Sequence, residues 1–446
     1  MRSLPLLAAL AAGLVLSIPA HANPPSNEVV EQVIKAYGEQ AKKAGNAAGA
    51  HEAAAEALAQ LNIADLTLEQ IKRLNSVRIL SAVPDKRAEV RARLGKIAEN
   101  TSALGAQAAI LKADFVARPT GPAPAALAQT KKDTLEALTA AAAHPGFGEA
   151  LRTDDGGAFF GTLTILDAGD VAGSPIWEAI AKNLSDEMPV KTALRASGII
   201  DLAADPGAKL PKAQFEEIRS KLVASLERAK ANPGDAGERA VAAADRQLRL
   251  LKGAFARGEL LDHAAPDLHF TWSSAEHPLK DLDDLKGRVV ILDFWATWCG
   301  PCVASFPQVR DLAERYKGYP VEIVGVTSVQ GFHLKRSTEP GVKPERIDCT
   351  GDAQKEIALM PQFMKDLDMT WGVAFSEEDV FNPEYGIRGI PHVVILDPKG
   401  VVRHRGLHPG SDPESKHAMI DAILREFKLP APAPGAKNAD QPKGDK

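Results

Sequence analysis

A nine-residue apolar run, RVVILDFWA at residues 288–296, leads through Thr297-Trp298 into Cys299-Gly300-Pro301-Cys302. The run is short and β-prone, which predicts a buried strand. Residues 302–316 that follow read as a helix, so the two cysteines sit where a strand turns into a helix. A helix N-terminus directs unpaired N–H groups and the positive end of its dipole at the first sulfur. Both favour the thiolate, the attacking species in disulfide exchange. Two intervening residues on the first helical turn bring the second sulfur near enough to resolve a mixed disulfide. Structural zinc is the rival for any such pair, but it needs two further ligands. No second C-x-x-C or His pair supplies them, so no metal is expected. Three cysteines in 446 residues also exclude a disulfide-stapled scaffold, which makes any cysteine function local.

Strands and helices alternate around this point. Residues 321–328 (VEIVGVTS) form a second β-prone run. Residues 392–397 and 401–405 flank Asp397-Pro398-Lys399-Gly400, a type I turn with Pro second and Gly fourth. Residues 412–427 close the pattern as an amphipathic helix bearing Met419, Ile420, Ile423, Leu424 and Phe427. An α/β domain is therefore expected over 259–428, followed by a Pro-, Ala- and Lys-rich disordered tail at 429–446.

Upstream, the chain is Ala-rich and helical in pattern. Thr67-Leu68-Glu69-Gln70 is a capping box opening a helix with Leu68, Ile71 and Leu74 on one side. Ile218, Leu222, Val223 and Leu226 lie at helical spacing, as do Leu248, Leu251 and Phe255. Breaks at 205–207 and 232–235 read as helix–helix turns, and the Pro-rich run 118–124 as a subdomain boundary. The expectation is a mostly α-helical domain over 23–258, with a division into two subdomains near 118–124. It has no repeat of fixed period and no metal-ligand spacing, so it reads as a scaffold or partner-binding domain whose partner is unknown.

Residues 1–22 have one arginine, an apolar stretch from Leu4 to Ile18 and an Ala-x-Ala pattern ending at Ala22. That is the architecture of a secretory signal peptide, predicting a mature chain from Asn23 in the periplasm or outside the cell. With 53 basic and 58 acidic residues, the chain has no electrostatic footprint for nucleic acid.

The segment 293–302 (DFWATWCGPC) resembles the active-site segment of the thioredoxin superfamily, and more closely that of its secreted TlpA/ResA-like branch. Pro307 matches the proline that kinks the family's active-site helix, and 385–391 (YGIRGIP) resembles the segment bearing the family's cis-proline. The lead-in at 265–268 and 282–290 is similar as well. The resemblance spans about 260–427 and implies a thioredoxin-like α/β domain, with a central mixed sheet flanked by helices. It implies a redox disulfide Cys299–Cys302, with Cys299 the exposed nucleophile and Cys302 the buried resolving thiol. Asp293 aligns with the family's buried acid, which moves a proton at Cys302; an idle charge inside an apolar strand would be costly. Trp298, Gly300, Pro301, Ile390 and Pro391 would shape the substrate groove, the Ile390 backbone pairing with an extended segment. Ser305 departs from the Glu often found there in the secreted branch, and 330–380 is longer than a minimal thioredoxin needs. Cys349 within it reads as a buried thiol, and His404 and His408 as loop histidines.

The reading that follows is a periplasmic thiol–disulfide oxidoreductase that reduces disulfide-bearing protein substrates. It needs no diffusible cofactor and is recharged by a membrane electron donor, as the resemblance implies. A disulfide oxidase or isomerase using the same cysteines is the first alternative. A partner-binding protein with secondary redox activity is the second.

Overall fold

The computed structural model describes residues 24–116, 124–234, 237–274, 278–336 and 342–433. The expected signal segment, residues 118–123 of the Pro-rich break and residues 434–446 of the tail fall outside them. The chain divides into two compact units, one up to Phe147 and one from Gly148.

The first unit is helical, with longer helices at Asn27–Ala44, Ala47–Leu58, Leu68–Ser76, Arg87–Ile97, Ala103–Val116 and Pro124–Ala142. Its apolar stripes meet in a core around Val30, Leu58, Ile71, Leu94 and Phe115. The capping box forms as the spacing demands. Thr67 Oγ1 accepts from the Gln70 N–H (3.3 Å) and Gln70 Oε1 accepts from the Thr67 N–H (3.0 Å).

The second unit opens with helices, among them Val190–Ala196, Ile200–Ala203, Lys212–Ala231 and Gly237–Lys252. Asp205 turns the chain before Lys212, its carboxylate accepting from the Gly207 N–H at 2.7 Å. A sheet follows, built from β1 (Phe270–Ser273), β2 (Val289–Phe294), β3 (Val321–Ser328), β6 (Gly372–Ser376), β7 (His392–Leu396) and β8 (Val402–Leu407). A separate hairpin joins β4 (Phe332–Lys335) to β5 (Glu345–Asp348). The sheet order is β1-β6-β3-β2-β7-β8. β2, β3 and β6 run parallel, while β1, β7 and β8 add antiparallel pairs. The sheet is therefore mixed, with β2 inside it and buried along its whole length.

Side chains alternate across a strand, so β2 faces two cores. Val289 and Ile291 pack with helices Phe306–Tyr316, Ala353–Asp366 and Pro413–Glu426. Val290, Leu292 and Phe294 meet Leu260, Leu285, Val380, Tyr385 and, from the end of the upstream helices, Phe255. The Asp397–Gly400 turn closes as expected, the Gly400 N–H donating to the Asp397 carbonyl at 2.9 Å.

Two expectations need correction. His404 is not a loop residue: it lies in β8 opposite Ile395, half-buried, and desolvation lowers its pKa. His408 is in the loop that follows, where its Nδ1 accepts from the Gly410 N–H at 2.9 Å. The helix expected over 302–316 is two helices, Gly300–Ala304 and Phe306–Tyr316, interrupted at Ser305. Pro307 has no N–H to return to the preceding turn, so the ladder cannot run through.

Candidate active site

The strand-to-helix turn places Cys299 at the N-cap of Gly300–Ala304, with Cys302 inside its first turn. The two are joined as a disulfide with Cα atoms 5.3 Å apart. The Cys302 backbone N–H points at Cys299 Sγ, 3.2 Å away. A backbone donor so placed is what stabilises a thiolate at a helix start.

Cys299 was expected to be exposed, yet in this oxidised form it is only 3% accessible, against 1% for Cys302. The Ile390 carbonyl oxygen lies over it, 3.7 Å from Sγ, and Trp298 flanks it. Gly300, Pro301 and Gly389 are the exposed backbone around the disulfide. The Ile390–Pro391 bond is cis, as the resemblance implied. The structure thus brings Cys299, Cys302, Ile390 and Pro391 to one place.

Trp298 is pinned on two sides. Its ring stacks on Phe381, centroids 6.2 Å apart, and its Nε1–H donates to Gln330 Oε1 at 3.0 Å. Gln330 is in turn held by Ser328. Buried Glu356 accepts from the N–H groups of Gln330 (2.9 Å) and Gly331 (2.9 Å), which fixes the start of the β4–β5 excursion. That excursion reaches back to the active-site turn. The Leu334 N–H donates to Thr297 Oγ1, and Arg336 Nε to the Thr297 carbonyl. The residues from 330 onward therefore brace the turn. Sequence reasoning located this stretch but singled out neither Gln330 nor Phe381.

Asp293 shares its strand parity with Val289 and Ile291 and is 3% exposed. Its Oδ1 finds no hydrogen-bond partner among the described residues. Burial pushes its carboxyl up to about 7, against a smaller pull from the Lys416 charge. Lys416 is itself buried, and its ammonium donates to the Pro409 carbonyl. Desolvation lowers the Lys416 pKa. This basic neighbour comes from a distant helix and left no sequence signal. Cys349 is free and buried, and burial together with the Glu356 charge pushes its thiol up. No cluster of three or more His, Cys, Asp or Glu with metal-binding geometry occurs among the described residues.

A cysteine pair at a helix start, set on a mixed sheet and covered by a cis-proline loop, is the arrangement that disulfide exchange needs. The Redoxin family model matches residues 261–424, which take in the sheet and the cysteine pair. Among curated proteins this region is similar to thiol-disulfide oxidoreductase ResA of Oceanobacillus iheyensis, 31% identical over 141 residues. That alignment covers 31% of this chain and 60% of the relative, less than two thirds of its length. ResA of Bacillus cereus is 26% identical over 153 residues, covering 34% of this chain and 74% of the relative. The solved structure of StoA from Bacillus subtilis aligns at 20% identity with a TM-score of 0.26, covering 35% of this chain and 98% of that one. Each of these alignments takes in only about a third of this chain.

Proposed function

We propose that this protein reduces disulfides in protein substrates outside the cytoplasm, through Cys299 and Cys302. The observation that carries the reading is the Cys299–Cys302 disulfide at a helix start beneath the Ile390 carbonyl, with Asp293 buried on the preceding strand. In the reduced protein, the Cys299 thiolate attacks one substrate sulfur and expels the other, which takes up a proton. The Asp293 carboxylate then accepts the Cys302 proton. The Cys302 thiolate attacks Cys299 Sγ, releasing the second substrate thiolate and leaving the protein oxidised. Two electrons pass to the substrate, so a reductant must recharge the dithiol, and the resemblance implies a membrane electron donor. The Ile390 backbone pairs with the extended substrate segment, while Trp298, Gly300, Pro301 and Pro391 wall the groove.

The Gly300-Pro301 dipeptide supports the reducing direction, since thioredoxin itself works at about −270 mV and a strong periplasmic oxidant at about −120 mV. The Ala-x-Ala pattern at Ala22 supports export, and no described helix is long and apolar enough to cross a membrane. Turbidimetric reduction of insulin tests the reading. The wild type is expected to be active and Cys299→Ser inactive, with the potential of the dithiol nearer the reducing value. A potential at the oxidising end would assign the site to disulfide formation instead.

A further inference from the structure

The upstream helices of the second unit grip the loop that carries Ile390 and Pro391. Arg388 sits two residues before Ile390, and its guanidinium meets three groups from the helical residues. Nε lies 2.6 Å from Asp201 Oδ2, Nη1 donates to Gln247 Oε1, and Nη2 donates to the Ser197 carbonyl at 3.1 Å. Ser197 Oγ also donates to Gln247 Oε1 (3.0 Å), tying the receiving groups together. Asp201 belongs to Ile200–Ala203 and Gln247 to Gly237–Lys252, so separate helices converge on one side chain.

The same loop is held a few residues earlier. The Glu384 carbonyl accepts from the Phe255 N–H at 3.0 Å, and its carboxylate from the Ala254 N–H at 2.7 Å. Arg405 lies 3.6 Å from the Phe255 ring centre and donates to the Gly386 carbonyl at 3.0 Å. Lone surface ion pairs contribute little, but a planar guanidinium fork engaged on several sides fixes geometry.

We infer that Arg388 is a positioning residue: clamped by Asp201, Gln247 and Ser197, it holds the backbone at 389–391 where a polypeptide disulfide docks. The inference rests on the proposed function and adds to it. Ser197, Asp201 and Gln247 then support the docking backbone from behind without touching substrate, and the class of substrate that profits is a disulfide within an extended polypeptide. A small disulfide makes no strand-like contact with Ile390 and gains nothing from the clamp.

The test uses the full chain with Arg388→Lys, Asp201→Asn and the milder Gln247→Ala. KM and kcat are measured for insulin and for a small aromatic disulfide, and hydrogen exchange is followed in the peptide 386–392. Asp201→Asn is expected to raise KM for insulin about tenfold at little-changed kcat, as slight misplacement of a docking group does. It should leave the small disulfide within about twofold, while exchange at 386–392 quickens and other peptides keep their rates. Arg388→Lys keeps the charge but loses the fork, and should fall between wild type and Asp201→Asn. If Asp201→Asn does not fold, Gln247→Ala carries the same test with a smaller effect. Equal losses on both disulfides, or unchanged KM with unchanged exchange, would overturn the inference. If the wild type reduces neither disulfide, the proposed function fails, and the exchange at 386–392 still decides the clamp.

Discussion

A carboxyl group whose same-face strand neighbours are Val289 and Ile291 has no water to ionise into, and Asp293 shows the consequence in a carboxyl pushed up to about 7. Folding binds a proton there that the unfolded chain, with an ordinary Asp near 3.8, has already lost. This contribution to stability is therefore full below about pH 4 and lost as pH rises towards about 7, roughly 4 kcal/mol in all. Asp293→Asn removes the slope, so its stability relative to wild type should climb across that window in urea unfolding at several pH values. In stopped-flow assays, the same change should slow resolution by Cys302 about 10²-fold or more while sparing the attack by Cys299. Equal slowing of both steps would take Asp293 out of the mechanism. Cys349 supplies the contrast. Its sulfur is buried, 3.7 Å from the Ile347 carbonyl, and apart from the disulfide. Cys349→Ser should keep most insulin reduction and lose about 1 kcal/mol in urea unfolding. The buried acid was legible because an apolar run surrounds it. Lys416 was not, because chain reversal alone brings it near.

At the scale of elements, β2 and the dithiol turn were readable because strand period and helix start are local signals. β1 and β6 were not, since neither exceeds five residues and β6 opens with Gly372, so no alternation has room to show. His404 was misplaced for a related reason. Gly406 resembles a chain break, yet β8 is an edge strand with shifted register, and an edge accepts glycine at a positive φ of 71°. The interruption at Ser305 is repaired locally: its Oγ–H donates to the Cys302 carbonyl at 2.7 Å, and its N–H serves the Cys302 and Pro301 carbonyls. Ser305→Ala should therefore cost about 1 kcal/mol of stability in the oxidised protein by urea unfolding. A neutral result would mean that the backbone bonds alone hold the break.

For the whole molecule, the lesson lies in a boundary. The helical pattern ends at Gly258, and sequence alone placed the domain edge there. Three residues earlier, Phe255 is 3% exposed and packs with Leu292, Phe294 and Tyr385 on the sheet face opposite the helices Phe306–Tyr316 and Pro413–Glu426. That face needs a cover, and what covers it is set by tertiary packing, which local periodicity does not encode. The close approach is measurable at Gly253, where a Cβ would stand 2.0 Å from the Pro383 carbonyl oxygen. Backbone cannot yield there as a flexible side chain does, so Gly253→Ala must push the 383–388 loop away from the helices. Overpacking of this kind costs about 1–3 kcal/mol. Because Phe255 belongs to the sheet's core, the loss should appear as a lower midpoint of the second unit's transition, followed by Trp fluorescence, since all five Trp lie in that unit. Were the upstream helices of this unit an independent module, Gly253→Ala made in a Trp177→Phe background, where all remaining Trp lie at 272 or beyond, would leave the fluorescence midpoint unchanged.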